Sequence, residues 1–316
     1  MIESHGSECA LPVVAVVGAG TIGASLTALF VAHGIEVRLF DKRADAQVLL
    51  EQLILEALPD LDRLGIGHGV PRGNYRLWPT LKEACHGVTL VIEATAERLE
   101  AKQSLLAEIE TAVSVEVVIA STTSSFLPSQ LQARMAHPAR LIVAHPFNPP
   151  HLVPLVEIVG SAQTQGWALD RAIGFFTSMG RKPVRLNRES VGHLANRLTA
   201  ALYREAVSLV ADGIASVQDV DDAVRYGPGL RWAVMGPHMI YHLAAGDGGY
   251  RQYLEHLGPT QEARWKDLRT PALTRELCDQ LVAGVELAAK GASVGELRLQ
   301  RDSTLVSVLR AINKAE

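Results

Sequence analysis

The stretch VVAVVGAGTIGASL, residues 13–26, decides how the rest of the chain is read. Its opening, VVAVVG (13–18), is a short apolar run of mostly β-branched residues, the pattern of a buried strand. Gly18-x-Gly20-x-x-Gly23 follows at once, and TIGASLTALFVAHG (21–34) reads as a helix that stops at Gly34. Strand, glycine turn and helix in that order make a cradle for a pyrophosphate. The first glycine permits the tight turn, the second lets backbone approach the phosphates, and the third lets the helix pack against the strand. The helix N-terminus adds free N–H groups and the positive end of its dipole. Gly18, Gly20, Thr21, Ile22 and Gly23 are the residues expected to line the cradle.

The next strand, EVRLFD (36–41), ends on Asp41, which lies 41 − 18 = 23 positions after Gly18. A carboxylate at that distance suits the hydroxyls of a ribose and repels a 2′-phosphate. The expected cofactor is therefore NAD rather than NADP, although Lys42 and Arg43 follow immediately.

Further along, TLVIEA (89–94), VEVVIAS (115–121), RLIVAHP (140–146) and LVPLVEIV (152–159) read as strands, and ERLEAKQSLLAEIETAV (97–113) as a helix. The stretch 45–80 reads as mostly helical, with LGIGHGVPRGN (64–74) a loop. Alternation of this kind predicts an α/β domain, a Rossmann-like, doubly wound and mainly parallel sheet with helices on both faces. After KPVRLN (182–187) the texture changes. GHLANRLTAALYREAVSLVADG (192–213) carries apolar residues at 194, 198, 202, 206, 209 and 210, a helix stripe with Gly213 as its stop. Helical segments broken at GPG (227–229), GP (236–237) and GDGG (246–249) run to the end. The expected division is residues 1–187 as an NAD-binding α/β domain and 188–316 as an all-helical domain.

Composition narrows the class. A chain of 316 residues is long enough for roughly two domains. A formal charge of −4 with no basic block argues against nucleic acid or an anionic membrane as partner. Cys9, Cys85 and Cys278 have no CxxC spacing, which favours a reduced, cytoplasmic protein over a disulfide scaffold or zinc site. MIESHGSECALP carries acids where a signal peptide has bases, and no apolar run approaches the ~18 residues of a membrane span.

The candidate chemistry centres on VAHPFNPPHLVPLVEIV (143–159). His145 ends a strand, at the edge where open α/β sheets bind ligands, and Pro146, Pro149 and Pro150 stiffen the backbone just beyond it. Glu157 lies between Val156 and Ile158 on the next strand, where an unpaired charge would be costly. An imidazole backed by a carboxylate can take the proton of an alcohol as hydride leaves for a nicotinamide. The residues alone leave a second reading open, in which His145 is a structural turn residue and Glu157 sits on the polar face of an edge strand.

GAGTIG, ASTTSS, HPFNPP, LVEIV and GHLANRL, in that order, resemble the L-3-hydroxyacyl-CoA dehydrogenase family, and the likeness runs to about residue 245. The resemblance implies a nucleotide-binding domain followed by a helical domain that forms a homodimer. It implies that His145 is the acid/base and Glu157 its partner. It further implies that Ser121 hydrogen-bonds the substrate oxygen and that Asn196 completes the site. Glu93, Glu97 and Lys102 resemble residues around the nicotinamide ribose. The family usually places lysines in the segment after the second strand to meet CoA phosphates. Here 44–78 contains no lysine, only Arg63, Arg72 and Arg76 among several acids. GLRWAVMG and AAGDGG resemble instead the branch acting on small, free 3-hydroxy compounds such as carnitine or, more distantly, L-gulonate. For a quaternary ammonium, Phe147, Trp232, Tyr241 and Tyr250 are candidate aromatic faces, and Arg231 could meet a carboxylate; Trp232 and Tyr241 can equally be read as helix core. His238 and His242 have an i, i+4 spacing that could grip a metal, but no adjacent acid completes a zinc motif and the chemistry requires none, so no metal is expected.

Overall fold

A computed structural model describes residues 12–68 and 71–314; the N-terminal segment with Cys9 lies outside the described residues. The chain divides into two compact units. One runs to Asn196 and includes Asp302–Arg310, and the other comprises Arg197–Arg301 and the chain end.

The first unit opens with β1 (Val13–Val17), α1 (Thr21–Ala32), β2 (Glu36–Phe40), α2 (Ala46–Leu64) and β3 (Tyr75–Leu77). It continues through α3 (Leu81–Cys85), β4 (Leu90–Glu93), α4 (Leu99–Ala112), β5 (Val118–Ser121) and the short α5 (Pro128–Leu131). Then come β6 (Leu141–Pro146), β7 (Leu155–Val159), α6 (Gly166–Ser178), β8 (Lys182–Arg185) and the start of α7 (Ala195–Ala211). The strands form one eight-stranded sheet in the order β3-β2-β1-β4-β5-β6-β7-β8. All neighbours are parallel except β6 and β7, which run antiparallel. β3 falls in a stretch the sequence reading leaves as helix and loop. Three residues, the half-buried Tyr75 and Leu77 with the exposed Arg76 between them, are too short a run to show a period, and they become a strand by pairing with β2.

Period-2 alternation sends successive residues of each strand into different layers. From β1, Val14 and Val16 join one buried cluster with α1, α2 and α6, while Ala15 and Val17 join another with α3, α4 and α5. From β6, Ile142 and Ala144 face the first layer and Leu141 and Val143 the second. Both faces are therefore covered, as a mainly parallel sheet requires. Among the described cysteines, Cys85 is buried in the second layer and its thiol pKa is pushed up to about 12 by burial and the nearby Glu108, while Cys278 is exposed.

The second unit is helical. α7 ends ahead of Gly213, whose φ of +67° lets its amide and that of Ile214 close on the Val210 and Leu209 carbonyls. α8 (Val217–Tyr226), α9 (Pro228–Trp232), α10 (Pro237–Ala244), α11 (Gly249–Asp267), α12 (Arg275–Ala289) and α13 (Val294–Asn313) follow. No helix of the described residues is long and apolar enough to cross a membrane.

The glycine turn shows which of its members the fold itself needs. A Cβ on Gly23 would lie 1.9 Å from the Gly18 carbonyl oxygen, and Gly18 has φ +107° with the Ala94 carbonyl where its Cβ would go. Gly23→Ala is expected to lower unfolding free energy by about 1–3 kcal/mol, the usual range for forcing atoms into a filled space. Urea denaturation of the purified variant checks this.

Candidate active site

The carboxyl ends of β1 and β4 meet at the point where the strand order reverses, the position where open α/β sheets bind ligands. Gly18 lies beside Ala94 there, and Gly20 caps α1 without any side-chain hydrogen bond to the first-turn amides. A Cβ built on Gly20 meets nothing within 4 Å. The turn is thus bare of side chains on its open side, with helix amides unclaimed, which fits a pyrophosphate. Thr21 and Ile22 form the first residues of α1, Thr21 exposed and Ile22 partly buried against the core. Asp41 follows β2, and its Oδ2 accepts the Ala19 amide at 2.8 Å. Burial works against this carboxylate, but Arg43 and the Ala19 and Arg43 amides outweigh it and hold its pKa below the ordinary range. Arg43 lies across it, with Nε at 3.1 Å from Oδ1 and an Nη at 3.0 Å from Oδ2.

One face of the sheet carries a row of polar side chains at this edge. Glu93 pairs in register with Ser121, and both follow the alternation of Val91 and Ile119 into the second layer. His145 and Glu157 are direct cross-strand partners in the antiparallel β6–β7 pair. His145 Nδ1 is 2.7 Å from Glu157 Oε2. The other oxygen, Oε1, accepts the amides of Leu194 and Ala195 at 2.7 and 2.8 Å. Glu157 is 0 % exposed. Burial alone would raise its pKa, but the His145 hydrogen bond and the two amides prevail and keep it below the usual carboxylate range. An ionised Glu157 only accepts, so Nδ1 of His145 carries a proton and Nε2 is left as the acceptor of the neutral ring.

The connection between these two strands is fastened from both sides. Its Asn148–Pro149 bond is cis. The His151 amide donates to Ser25 Oγ of α1 at 3.0 Å, and the ring Nδ1 lies 2.8 Å from the same oxygen. Arg181, its pKa lowered to about 10 by burial, reaches the Pro150 and His151 carbonyls at 3.5 Å. Phe147, at the start of this connection, is half-buried.

Three expected site residues are placed differently from the reading. Ser121 is fully buried, and its hydroxyl donates to Glu93 Oε2 at 2.6 Å. With its one proton committed there it cannot donate to a substrate oxygen. Alternation in phase with Ile119 was the signal that it points into the core. The exposed hydroxyls of the same turn belong to Ser124 and Ser125. Glu93 and Lys102 are likewise enclosed, at 0 % and 1 % exposure, rather than presented to a ribose. Lys102 Nζ donates to both Glu93 oxygens at 2.8 and 3.0 Å and to the Thr95 carbonyl at 3.1 Å. Each charge can leave water because the other accompanies it. Glu97 stays accessible, its side chain 36 % exposed, and accepts the Thr123 hydroxyl and the Ser124 and Ser125 amides. Asn196 is half-buried in the first turn of α7, directly after the two amides that hold Glu157.

In the second unit, Arg231 and Trp232 are exposed on α9. Tyr241 stacks on Tyr253 at 4.6 Å between centroids, and Tyr250 lies parallel to Tyr253 at 6.0 Å. His238 Nδ1 is 2.9 Å from the Tyr250 hydroxyl, and His242 Nδ1 accepts the Tyr250 amide at 3.0 Å. No group of three or more metal-ligating side chains occurs among the described residues.

A glycine cradle at the switch point of a doubly wound sheet, with a carboxylate-backed imidazole on the same sheet edge, defines a nucleotide-dependent oxidoreductase. The family model for the NAD-binding domain of 3-hydroxyacyl-CoA dehydrogenase matches residues 13–190, and that for its C-terminal domain matches 192–292. The chain belongs to the 3-hydroxyacyl-CoA dehydrogenase family and is an NAD-dependent dehydrogenase of that family. It is 43% identical to an L-carnitine dehydrogenase of Nocardiopsis dassonvillei over 97% of this chain and 93% of the relative. An L-carnitine dehydrogenase of Pseudomonas aeruginosa is 37% identical over 96% and 94% of the two chains. Among solved structures, 5-formyl-3-hydroxy-2-methylpyridine 4-carboxylic acid 5-dehydrogenase, an NAD-dependent dismutase, superposes with a TM-score of 0.81 at 26% identity, covering 96% of this chain and 99% of the other. FadB2 of Mycobacterium tuberculosis gives 0.65 at 27%, covering 86% and 93%.

Gly20→Ala separates binding from folding at this turn. Its stability is expected to stay within about 0.5 kcal/mol of the parent. Its KM for NAD should rise about tenfold or more, equivalent to roughly 1.4 kcal/mol, because the methyl enters the space the phosphates need. Denaturation and steady-state titration with NAD measure the two effects.

Proposed function

We propose that this chain oxidises the 3-hydroxyl of a small, free 3-hydroxy carboxylate to a ketone, with L-carnitine as the foremost substrate. The observation that carries the chemistry is the 2.7 Å contact between His145 Nδ1 and Glu157 Oε2. With Nδ1 protonated and held by Glu157, His145 Nε2 accepts the hydroxyl proton. NAD, when bound, supplies the hydride acceptor. Glu157 fixes the ring and stabilises the imidazolium that the transfer creates. Asn196 and the exposed hydroxyl of Ser124, in the role first assigned to Ser121, locate the substrate oxygen and polarise the ketone in the reverse direction. Glu97 and Asp41 serve the two riboses. Phe147, two residues beyond His145, is assigned to the quaternary ammonium.

Full-length similarity to L-carnitine dehydrogenases supports this substrate over an acyl-CoA. Charge supports it too. Arg63 is paired with Asp60, Arg72 takes both oxygens of Asp62 at 2.6 and 2.8 Å, and Arg76 lies over Trp78, so the arginines of segment 44–78 are already engaged. Phosphates of CoA would find little there to neutralise them.

A panel of L-carnitine, L-gulonate, 3-hydroxybutyrate and 3-hydroxybutyryl-CoA with NAD tests the assignment. L-Carnitine should give the highest kcat/KM, and preference for the thioester would overturn the substrate. His145→Ala should lower kcat by about 10²–10⁴, the usual share of a general base, with NAD affinity nearly unchanged. Wild-type turnover in that variant would remove the role.

The protein is further inferred to act in the cytoplasm as a homodimer. Leu198, Leu202 and Tyr203 on α7 are 61%, 39% and 59% exposed, an apolar stripe that a second copy would cover. Light scattering after size exclusion should give twice the chain mass, and Leu198→Asp should shift it to the monomer.

A further inference from the structure

His193 lies within GHLANRL, yet the proton transfer at His145 gives it no task. It is 2 % exposed, and it is one of two non-glycine residues with positive φ among the described residues, at +50°. Its ring centroid is 5.2 Å from that of His145, with the planes tilted by 40°. Its Nε2 is 3.1 Å from the Thr123 carbonyl oxygen. The two residues after it in the chain give their amides to Glu157. Thr123 in turn gives its hydroxyl to Glu97 and carries Ser124 as its neighbour.

These partners set the tautomer. A carbonyl only accepts, so Nε2 bears the proton. Nδ1 is then a bare lone pair, buried and without a hydrogen-bond partner. A second proton would sit on that enclosed nitrogen beside His145, so the ring stays neutral: burial pushes its pKa down, the Thr123 carbonyl pulls it up, His145 pushes it down, and Glu157 and Glu97 pull it up, with burial prevailing. A neutral donor suits this place. It grips the turn without setting a charge against the proton His145 gains.

We propose that His193 is a positioning residue that ties the hydroxyl-bearing turn 122–125 to the His145–Glu157 pair through its hydrogen bond to the Thr123 carbonyl. Two groups that must act on one substrate oxygen, Ser124 and His145, are thereby held at a fixed separation although they come from different strands. A left-handed backbone at a residue with a bulky ring is tolerated where the surroundings demand that side chain. The inference rests on the proposed acid/base role of His145.

The test uses the full-length chain, NAD and whichever alcohol of the panel yields NADH. His193→Phe keeps a ring and loses the donor. Its kcat should fall by about tenfold, in line with the cost of loosened alignment, while KM for NAD stays within about twofold. His193→Gln keeps an N–H of similar reach that cannot ionise, and it should recover most of kcat. Wild-type kcat in the Phe variant, or a folded Gln variant as impaired as Phe, would overturn the proposal. Should the Phe variant not fold, a folded Gln variant with kcat lowered more than about tenfold has the same consequence. His145→Ala assayed alongside keeps the two ideas apart. An inactive His145→Ala with an unimpaired His193→Phe sinks this inference alone; an active His145→Ala, or a panel without turnover, sinks both.

Discussion

A carboxylate with no exposed surface has to be answered on every side, and Glu157 is answered by the β6–β7 register on one side and the entry to α7 on the other. Burying an unpaired carboxylate costs several kcal/mol, whereas hydrogen bonds to a charged group contribute about 1.5–3 kcal/mol each. Oε2 faces His145 across the antiparallel pair, and Oε1 takes two successive amides at the entry to α7. Slipping β7 by one residue would turn Glu157 to the opposite layer, among Ile142 and Ala144, and put Val156 or Ile158 beside the imidazole. The same bonds therefore fix three things together: the strand register, the tautomer of His145 and the first turn of α7.

A second enclosed charge performs the matching task three strands away, at the end of β4. Glu93 and Lys102 bind each other within the core, and Ser121 and Thr95 supply the remaining donors to the carboxylate. The group braces the end of β4 against that of β5, just where the turn 122–125 leaves the sheet. Glu97, bound to three groups of that turn and near Lys102 at 3.4 Å, joins the brace to the solvent side. Burial opposes its ionisation, and the Thr123 hydroxyl, Lys102 and the Ser125 amide outweigh that opposition. Within this brace Glu93, Lys102 and Ser121 are enclosed, while Glu97 and, on the turn it holds, Ser124 are exposed.

How far the sequence carried the reading depends on the range of the interactions involved. The glycine turn, the first two strands and α1 were legible because strand, turn and helix signals are local and agree with one another. Glu157 could be singled out as a charge in an apolar strand, and its partner guessed, because alternation is also local. β3 was not legible, since a strand of three residues exists only through its neighbour. Ser121 was assigned by motif when its phase with Ile119 already pointed it inward. His193 gave no signal at all: its role depends on contacts with Thr123, 70 positions away, and with the ring of His145.

Specificity in this fold is then a question of which cations remain unspent. The proposed acid/base pair is indifferent to what the alcohol carries beyond C3, so on that reading discrimination between a free acid and a thioester comes from charge at the periphery. Along α2 and the segment leading to β3, arginines are matched by acids of the same stretch: Arg63 by Asp60 and Arg72 by Asp62. Each such pair is worth little for stability at an exposed site. Its consequence is electrostatic. A guanidinium already holding a carboxylate attracts a phosphate weakly, because accepting one means releasing the other. With two of the segment's three arginines paired in this way and Arg76 lying over Trp78, the surface offers little net attraction to the phosphates of CoA, in keeping with the small, free acid proposed as substrate.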